Sequence, residues 1–110
     1  MILHDRVTRV RAALVDGPYG NQDRDWDNAP PGVAYPAEVQ PVSSTEDVVN
    51  QQQTVTRWRM FLGPQADLEA TDRVQWDGDT YEVDGDVERH KARGRLHHLE
   101  AVLMRVEQGA

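Results

Sequence analysis

The feature that most constrains the fold of this chain is a β-hairpin predicted over residues 72–84, DRVQWDGDTYEVD. Two alternating runs flank Asp77-Gly78, a dipeptide that favours the positive φ angles of a two-residue type I′ turn. A turn there pairs an aromatic residue with a β-branched one and a basic residue with an acidic one, at about 0.2–1 kcal/mol for each pair. These pairs are Val74–Tyr81 and Arg73–Glu82. A shift of one residue would bury the charges, so the register is well determined.

A second strand is predicted over residues 54–62, TVTRWRMFL, where the side chains alternate between two faces. The more apolar face, which we assign to the core, carries Thr56, Trp58, Met60 and Leu62. The opposite face carries Val55, Arg57, Arg59 and Phe61. Its mixture of charged and apolar groups suits a protein interface as well as solvent.

Two further runs are typical of strands. Residues 7–15, VTRVRAALV, alternate with the more uniformly apolar set facing the core, and residues 16–21 then break the strand with a turn sequence. That apolar set is Thr8, Val10, Ala12 and Leu14. Residues 32–42 contain Pro36 and Pro41, and since proline lacks the N–H that a central strand donates, we predict an edge or bulged strand. The polar segment 21–31 between them is predicted to be a loop or edge segment anchored by Trp26.

Two other segments are ambiguous. Residues 43–53, SSTEDVVNQQQ, fit either a flexible polar loop, favoured about two to one by composition, or a short helix capped by one of the two serines. Residues 97–107, HHLEAVLMRVE, fit both a helical stripe and a strand alternation, and periodicity does not decide between them. Five or six short strands with at most one short helix predict a mainly β fold, a small antiparallel sandwich or barrel. Closure into a barrel would hide strand edges.

Composition excludes several classes of protein. The 110 residues suffice for a single domain, 1–110, with a modest core. A formal net charge of -7 argues against a protein that holds nucleic acid by neutralising phosphates, although DNA could still pass such a protein. With no Cys there is no disulfide framework and no thiolate metal site. No run is long and apolar enough for a membrane span, and the N-terminus lacks the apolar core of a signal peptide.

The sequence offers no constellation that is typical of an enzyme. It contains no phosphate-binding glycine loop and no nucleophile next to a base, and the aspartates at 23, 25 and 27 lack the Gly and Glu that a calcium loop needs. The one candidate metal cluster is His90, His97, His98 and Glu100. Because neighbouring histidines of a strand point to opposite faces, surface or interface histidines are favoured about nine to one. We therefore predict no catalytic residue, no metal and no cofactor.

The only basic cluster lies between residues 89 and 95. It consists of Arg89, Lys91, Arg93 and Arg95, with His90 among them. Two interpretations have about equal weight. The cluster is either a solvated loop or a surface that docks an acidic neighbour, including another copy of this acidic chain.

Taken in order, four segments of the chain resemble the head-closure, or head-to-tail stopper, proteins of long-tailed bacteriophages, particularly those that infect actinobacteria. The resemblance covers nearly the whole chain and lies in the overall pattern rather than in a catalytic motif. Its most specific part runs from Asp72-Arg73-Val74 through Trp76-Asp77-Gly78 and Tyr81-Glu82-Val83 to Asp84-Gly85-Asp86. The segments are VRAALVDGPYGNQDRDWD, VQPVSSTED, TRWRMFLGPQADLEATDRVQWDGDTYEVDGD and HHLEAVLMRVE.

This resemblance implies a structural virion protein, a small β-barrel that forms a homo-oligomeric ring, a dodecamer, in the neck of the particle. Such a ring closes the DNA-filled head below the portal and adaptor proteins and offers a surface to the tail, while DNA passes without sequence-specific binding. Assembly would take place in the host cytoplasm. The resemblance also favours a strand for 97–107.

The resemblance further implies a channel or gate loop between two strands, at the position of residues 43–53. Its members are Ser43, Ser44, Thr45, Glu46, Asp47, Val48, Val49, Asn50, Gln51, Gln52 and Gln53. The residues predicted at a protein interface are Arg57, Arg59, Phe61, Arg89, Lys91, Arg93 and Arg95. The alternative function is a small monomeric β-barrel module that binds a protein or peptide along its proline-bearing edge strand.

Overall fold

The computed structural model describes residues 3–42 and 57–106, and within these ranges the chain is all β, with nine strands. No helix in these ranges has the length and hydropathy needed to cross a membrane. The strands are β1 (Asp5–Val10), β2 (Leu14–Asp16), β3 (Gln22–Arg24), β4 (Val33–Pro41), β5 (Arg57–Leu62), β6 (Arg73–Trp76), β7 (Asp79–Val83), β8 (Glu88–Ala92) and β9 (Arg95–Arg105). The ambiguous C-terminal segment is therefore a strand.

Six of the strands close into an antiparallel barrel. The order β5-β4-β1-β6-β7-β9 is completed by pairing of β9 with β5, so the first and last strands of the barrel are joined. This confirms the predicted mainly β barrel, and closure removes the two free edges that an open six-stranded sheet would have. Residues 43–53, the predicted loop, lie outside the described residues.

The seventh strand of the main sheet, β8, extends the barrel along β9. Leu99 pairs with both Leu62 of β5 and Arg89 of β8, so these two strands lie on opposite sides of β9. Leu103 pairs with Trp58 of β5 and Val83 of β7, which places β7 on the same side as β8. The long strand β9 thus closes the barrel with its C-terminal half and forms a hairpin with β8 through its N-terminal half.

The proline-bearing strand β4 is not an edge strand, and that prediction was wrong. Its first half pairs with β1 and its second half with β5, with Ala37 at the crossover and fully buried. Pro36 pairs only with Arg6, and Pro41 only with Trp58. Each proline therefore lies where β4 has a neighbour on one side only, which is the local condition that a missing N–H requires.

The barrel interior confirms the predicted core face of β5 and corrects that of the first strand. Met60 and Leu62 are buried, whereas in β1 the core residue is Val7, from the set predicted to face outwards. The prediction failed because residues 7–15 are two strands: β1 ends at Val10, and Leu14 then leaves the barrel. The buried cluster comprises Val7, Ala37, Met60, Leu62, Leu68, Val74, Tyr81, Leu99, Ala101 and Leu103.

Two type I′-like turns position the hairpins of the main sheet. Asp77 and Gly78 have φ of 51° and 83°, and the predicted Val74–Tyr81 pairing is observed. Arg93 and Gly94, with φ of 53° and 77°, form the equivalent turn between β8 and β9. The basic cluster is therefore a β-hairpin rather than a loop.

The remaining two strands form a separate small hairpin. β2 and β3 pair from Leu14–Arg24 to Asp16–Gln22, so the start of the segment predicted as a loop or edge segment is a strand of a two-stranded sheet. Trp26, just beyond β3, contacts the barrel as predicted, because the Arg73 guanidinium lies 4.2 Å from its ring centroid in a cation–π contact.

Candidate functional site

The β8–β9 hairpin presents a cluster of positive charge, here called the basic tip. Lys91, Arg93 and Arg95 flank or form its turn, and all three are exposed. Arg89 differs from them, because its Nη2 donates a hydrogen bond to the Leu68 carbonyl at 3.3 Å and ties the hairpin to the loop between β5 and β6. The predicted basic cluster thus divides into one internal contact and three groups that are available to a partner.

The predicted interface residues of β5 are engaged within the chain. Arg57 Nε donates to Asp84 Oδ2 at 2.7 Å, and Arg59 Nη1 donates to Glu100 Oε1 at 3.3 Å. The ring centroid of Phe61 lies 6.2 Å from that of His98. Their role at an interface stays a prediction. For the two arginines it would require that a partner contact guanidinium groups that already pair with carboxylates of the same chain.

Three side chains converge on the outer face of the β8–β9 hairpin and are called the histidine cluster. His90 of β8 pairs in register with His98 of β9, and Glu100 follows two residues later on the same face. The Nε2 atoms of His90 and His98 lie 3.0 Å and 2.8 Å from Glu100 Oε2. The hydrogen bond with His98 is the main cause that lowers the pKa of Glu100 below its ordinary value, with further contributions from the charges of His90, His98 and Arg59.

This convergence was visible in the sequence only in part. The sequence named His90, His98 and Glu100 among its candidate ligands, but it did not predict that His90 pairs with His98 across the hairpin. His97 and His98 were expected on opposite faces, yet their Nδ1 atoms lie 2.8 Å apart, because His97 is the unpaired residue at the register shift. Recognising Arg93-Gly94 as a two-residue turn would have placed His90 opposite His97, and the register shift between His90 and Lys91 moves the pairing to His98. Arginine is not the residue usually expected at a positive φ, so this signal was weak.

The β2–β3 hairpin exposes apolar side chains and is called the apolar hairpin. Leu14 and Val15 are 51% and 42% exposed, and Tyr19 at the tip is 91% exposed. The neighbouring carboxylates of Asp16, Asp23 and Asp27 are also exposed. A projecting element that combines apolar and acidic groups is suited to a protein contact.

Comparison with known proteins decides what this barrel belongs to. The family model described as phage head completion protein matches residues 2–103. The chain is a member of the phage head completion protein family. This confirms the resemblance seen in the sequence. No curated protein sequence matches the chain.

Two solved structures share the fold of this head completion protein. A protein from Shigella flexneri 2a, known from a solution structure, is 22% identical with a TM-score of 0.60, over 94% of this chain and 92% of that one. Protein xkdH of the phage-like element PBSX from Bacillus subtilis is 20% identical with a TM-score of 0.51, over 92% of each chain. At these identities the likeness concerns the fold.

Membership assigns the head completion protein a structural role in closing the phage head, as a virion component that interacts with other head and tail proteins. The family is a structural one. The residues described above are therefore best considered as surfaces for assembly.

Proposed function

We propose that this head completion protein forms a homo-oligomeric ring in the head-to-tail connector, closing the DNA-filled head and offering the tail its attachment surface. The observation that carries the proposal is the pair of elements projecting from a closed barrel, one with a basic tip and one with apolar and acidic groups. Two different surfaces that fit each other generate head-to-tail contacts, which close into a ring when the rotation between neighbours allows it. The resemblance found in the sequence favours twelve copies, assembled in the host cytoplasm.

Charge supports a contact between copies. The basic tip is a local excess of positive charge on a chain of net charge -7. Its closest chemical complement among the described surfaces is the acidic apolar hairpin, with Asp16, Asp23 and Asp27. Attraction between these opposite charges at the edge of the interface would orient neighbouring copies, and burial of Leu14, Val15 and Tyr19 would stabilise the contact.

The segment between β4 and β5 is proposed to act as the channel gate, with residues 43–53 as its core. Both ends of the segment lie together on the barrel, since Pro41 pairs with Trp58 and the Val42 N–H donates to the Arg57 carbonyl at 2.9 Å. The length of this segment sets an upper limit on its reach, because a fully extended chain that leaves and returns over residues 43–56 spans at most roughly 20–25 Å. Copies converging from a ring on one axis would obstruct it jointly.

The acidic composition fits a conduit through which DNA passes without sequence-specific binding. Walls that lack a surplus of positive charge leave the phosphates without strong counter-charges, so the DNA is not held. The run Asn50-Gln51-Gln52-Gln53 adds hydrogen-bonding groups without positive charge.

The decisive test of the ring contact is charge reversal of the basic tip in the phage itself. The double variant Arg93→Glu with Arg95→Glu should reduce the yield of tailed, DNA-filled particles in negative-stain images, while its thermal unfolding stays close to wild type. Arg6→Glu, at an exposed position of β1, is the matched control. A second double variant, Asp23→Lys with Asp27→Lys, should restore particles in the Arg93, Arg95 background. Unchanged particle yield in the first variant would contradict the contact.

The gate is tested separately by deletion of Thr45–Gln52. Particles should lose DNA before tail joining, while rings still form on the portal complex, and DNA content per particle is the measurement. Full DNA retention would contradict the gate proposal and would not affect the ring proposal. Purified protein that stays monomeric in the presence of its connector partners would overturn the ring itself.

The alternative of a monomeric peptide-binding module is less well supported. It needed β4 as a free edge strand, and β4 is paired with β1 in one half and β5 in the other. Strand addition to a sheet requires unpaired N–H and C=O groups along one edge.

A further inference from the structure

The histidine cluster combines the donor atoms of a transition-metal site on one face of the β8–β9 hairpin. His90, His98 and Glu100 each offer one ligand atom, and these atoms all lie within 4.8 Å of one another. The arrangement follows from local structure: the hairpin register places His90 opposite His98, and strand periodicity returns Glu100 to the same face.

The geometry separates the two oxygens of Glu100. Arg59 Nη1 approaches Oε1 at 3.3 Å, while both histidine Nε2 atoms approach Oε2. The arginine thus orients the carboxylate and leaves one oxygen facing the imidazoles. The two imidazole rings are stacked, with centroids 4.7 Å apart and planes inclined by 1°.

Zn²⁺ is the ion that this donor set suits best. Two imidazole nitrogens and a carboxylate oxygen are common zinc ligands, at bond lengths of about 2.0–2.2 Å, whereas Ca²⁺ and Mg²⁺ prefer sites made of oxygen alone. A tetrahedral centre with such bonds separates its ligand atoms by roughly 3.3 Å. The observed separations of 2.8 Å and 3.0 Å from Glu100 Oε2 are close to that value. Because the two rings are parallel, binding would require small outward rotations of the side chains and a tilt of the rings, so that the Nε2 lone pairs converge on the ion.

We propose that His90, His98 and Glu100 bind one Zn²⁺ per chain, with Glu88 as a further ligand. Glu88 Oε1 lies 3.1 Å from His90 Nε2, and its side chain is half exposed. His98 and Glu100 are mostly buried while His90 and Glu88 are open to solvent, so the ion has a fixed floor and an accessible entrance.

A neighbouring histidine completes the arrangement. Nδ1 of His97 lies 2.8 Å from Nδ1 of His98. A zinc-bound His98 uses Nε2 for the metal and keeps its proton on Nδ1, which then donates to Nδ1 of His97. Such outer contacts orient a ligating ring and typically contribute 10–100-fold to metal affinity. His97 is therefore a positioning residue.

The test is titration of the tag-free protein with Zn²⁺ by calorimetry, with Co²⁺ absorption as a second readout of tetrahedral nitrogen and oxygen ligation. Wild type should bind one ion and gain thermal stability with added zinc, since a ligand specific to the folded state stabilises it. Mg²⁺ and Ca²⁺ should produce no such gain.

Variants then locate the site. His98→Ala and Glu100→Gln should each weaken binding by about 100-fold or more, and His97→Ala by about 10–100-fold. His4→Ala, at an exposed histidine outside the cluster, should bind as wild type does. Melting curves without metal verify that each variant is folded. Wild type that binds no zinc below about 1 mM, or cluster variants that bind as tightly as wild type, would overturn the proposal. It does not depend on the proposed ring.

Discussion

Arg11 and Asp72 form a bidentate ion pair in which Nε and Nη2 each donate to one carboxylate oxygen at 2.8 Å. Asp72 is only 1% exposed and lies in the loop between β5 and β6, next to the β1–β2 connection that carries Arg11. The backbone N–H of Glu69 donates to Asp72 Oδ2 at 2.8 Å as well. The buried carboxylate therefore holds together a loop that inserts Leu68 into the core. The hydrogen bonds that Arg11 donates to Asp72 and Asp67 are the main cause that raises its pKa above the ordinary value, so it stays protonated.

Asp72→Ala is expected to destabilise the protein by about 2–4 kcal/mol. The substitution removes two charge-assisted hydrogen bonds from Arg11 to a buried carboxylate and leaves the Glu69 N–H without its acceptor. Chemical denaturation of the wild type and variant measures the difference in the free energy of unfolding. Asp67→Ala is the matched control: this exposed carboxylate contacts the same arginine but should contribute much less. Equal effects of the two substitutions would contradict the role assigned to burial.

The Asp67 carboxylate gives a pH dependence of defined sign. Its hydrogen bond with Arg11 is the main cause that lowers its pKa below the ordinary value, with the charges of Arg11, Arg9 and Arg89 adding to it. A depressed folded-state pKa contributes stability that is present above the unfolded pKa of about 3.9 and is lost as the pH falls through the folded pKa. Wild type should therefore melt at a higher temperature than Asp67→Asn near neutral pH, with a difference that shrinks in acid. A difference that grows in acid would contradict this assignment.

The parts of the fold that the sequence predicted correctly are those where one local rule acts alone. The 72–84 hairpin was recognised because Asp77-Gly78, the alternation and the cross-strand pairs all agree. β1 and β2 were merged because VTRVRAALV continues to alternate where the chain leaves the barrel, and only pairing with β3 shows the break. The pairing partners of β4 could not be predicted, because they come from distant segments of the chain. The first half of β4 pairs with β1 and the second half with β5, and this arrangement accommodates both prolines.

The candidate surfaces show the same limit. The basic residues were identified from composition, yet the difference between Arg57, paired with Asp84, and Arg95, exposed beside a turn, is set by tertiary contacts. To predict that the side chains of the histidine cluster lie together, one would need the pairing of β8 with β9, and the turn between these strands is Arg-Gly rather than Asn-Gly. The ion pair of Arg11 with Asp72 joins residues 61 positions apart, with no local signal.

Arg93→Asn is expected to stabilise the isolated protein by about 0.5–1 kcal/mol. Arg93 has a φ of 53°, a conformation that arginine adopts at a cost and that asparagine adopts readily before glycine in a type I′ turn. Thermal unfolding measures the gain. Asp77→Asn is the control, since aspartate already suits the equivalent position of the other hairpin and should change little. A lower melting temperature for Arg93→Asn would show that the arginine makes stabilising contacts that outweigh its backbone cost.

Tyr19→Ser should separate assembly from folding. Tyr19 is 91% exposed at the tip of the apolar hairpin, so removing its ring should change the free energy of unfolding by less than about 0.5 kcal/mol. If the hairpin packs against a neighbouring subunit, the same ring is buried in the connector, and its loss should reduce the fraction of heads that acquire tails. Negative-stain counting of tailed and tailless particles, together with the melting temperature of the purified variant, gives both readouts. Leu103→Ala, a fully buried position in β9, should show the opposite pattern, with a loss of about 2–5 kcal/mol of stability in the isolated protein. A Tyr19 variant that assembles normally would exclude the tip of the apolar hairpin from the contact between subunits.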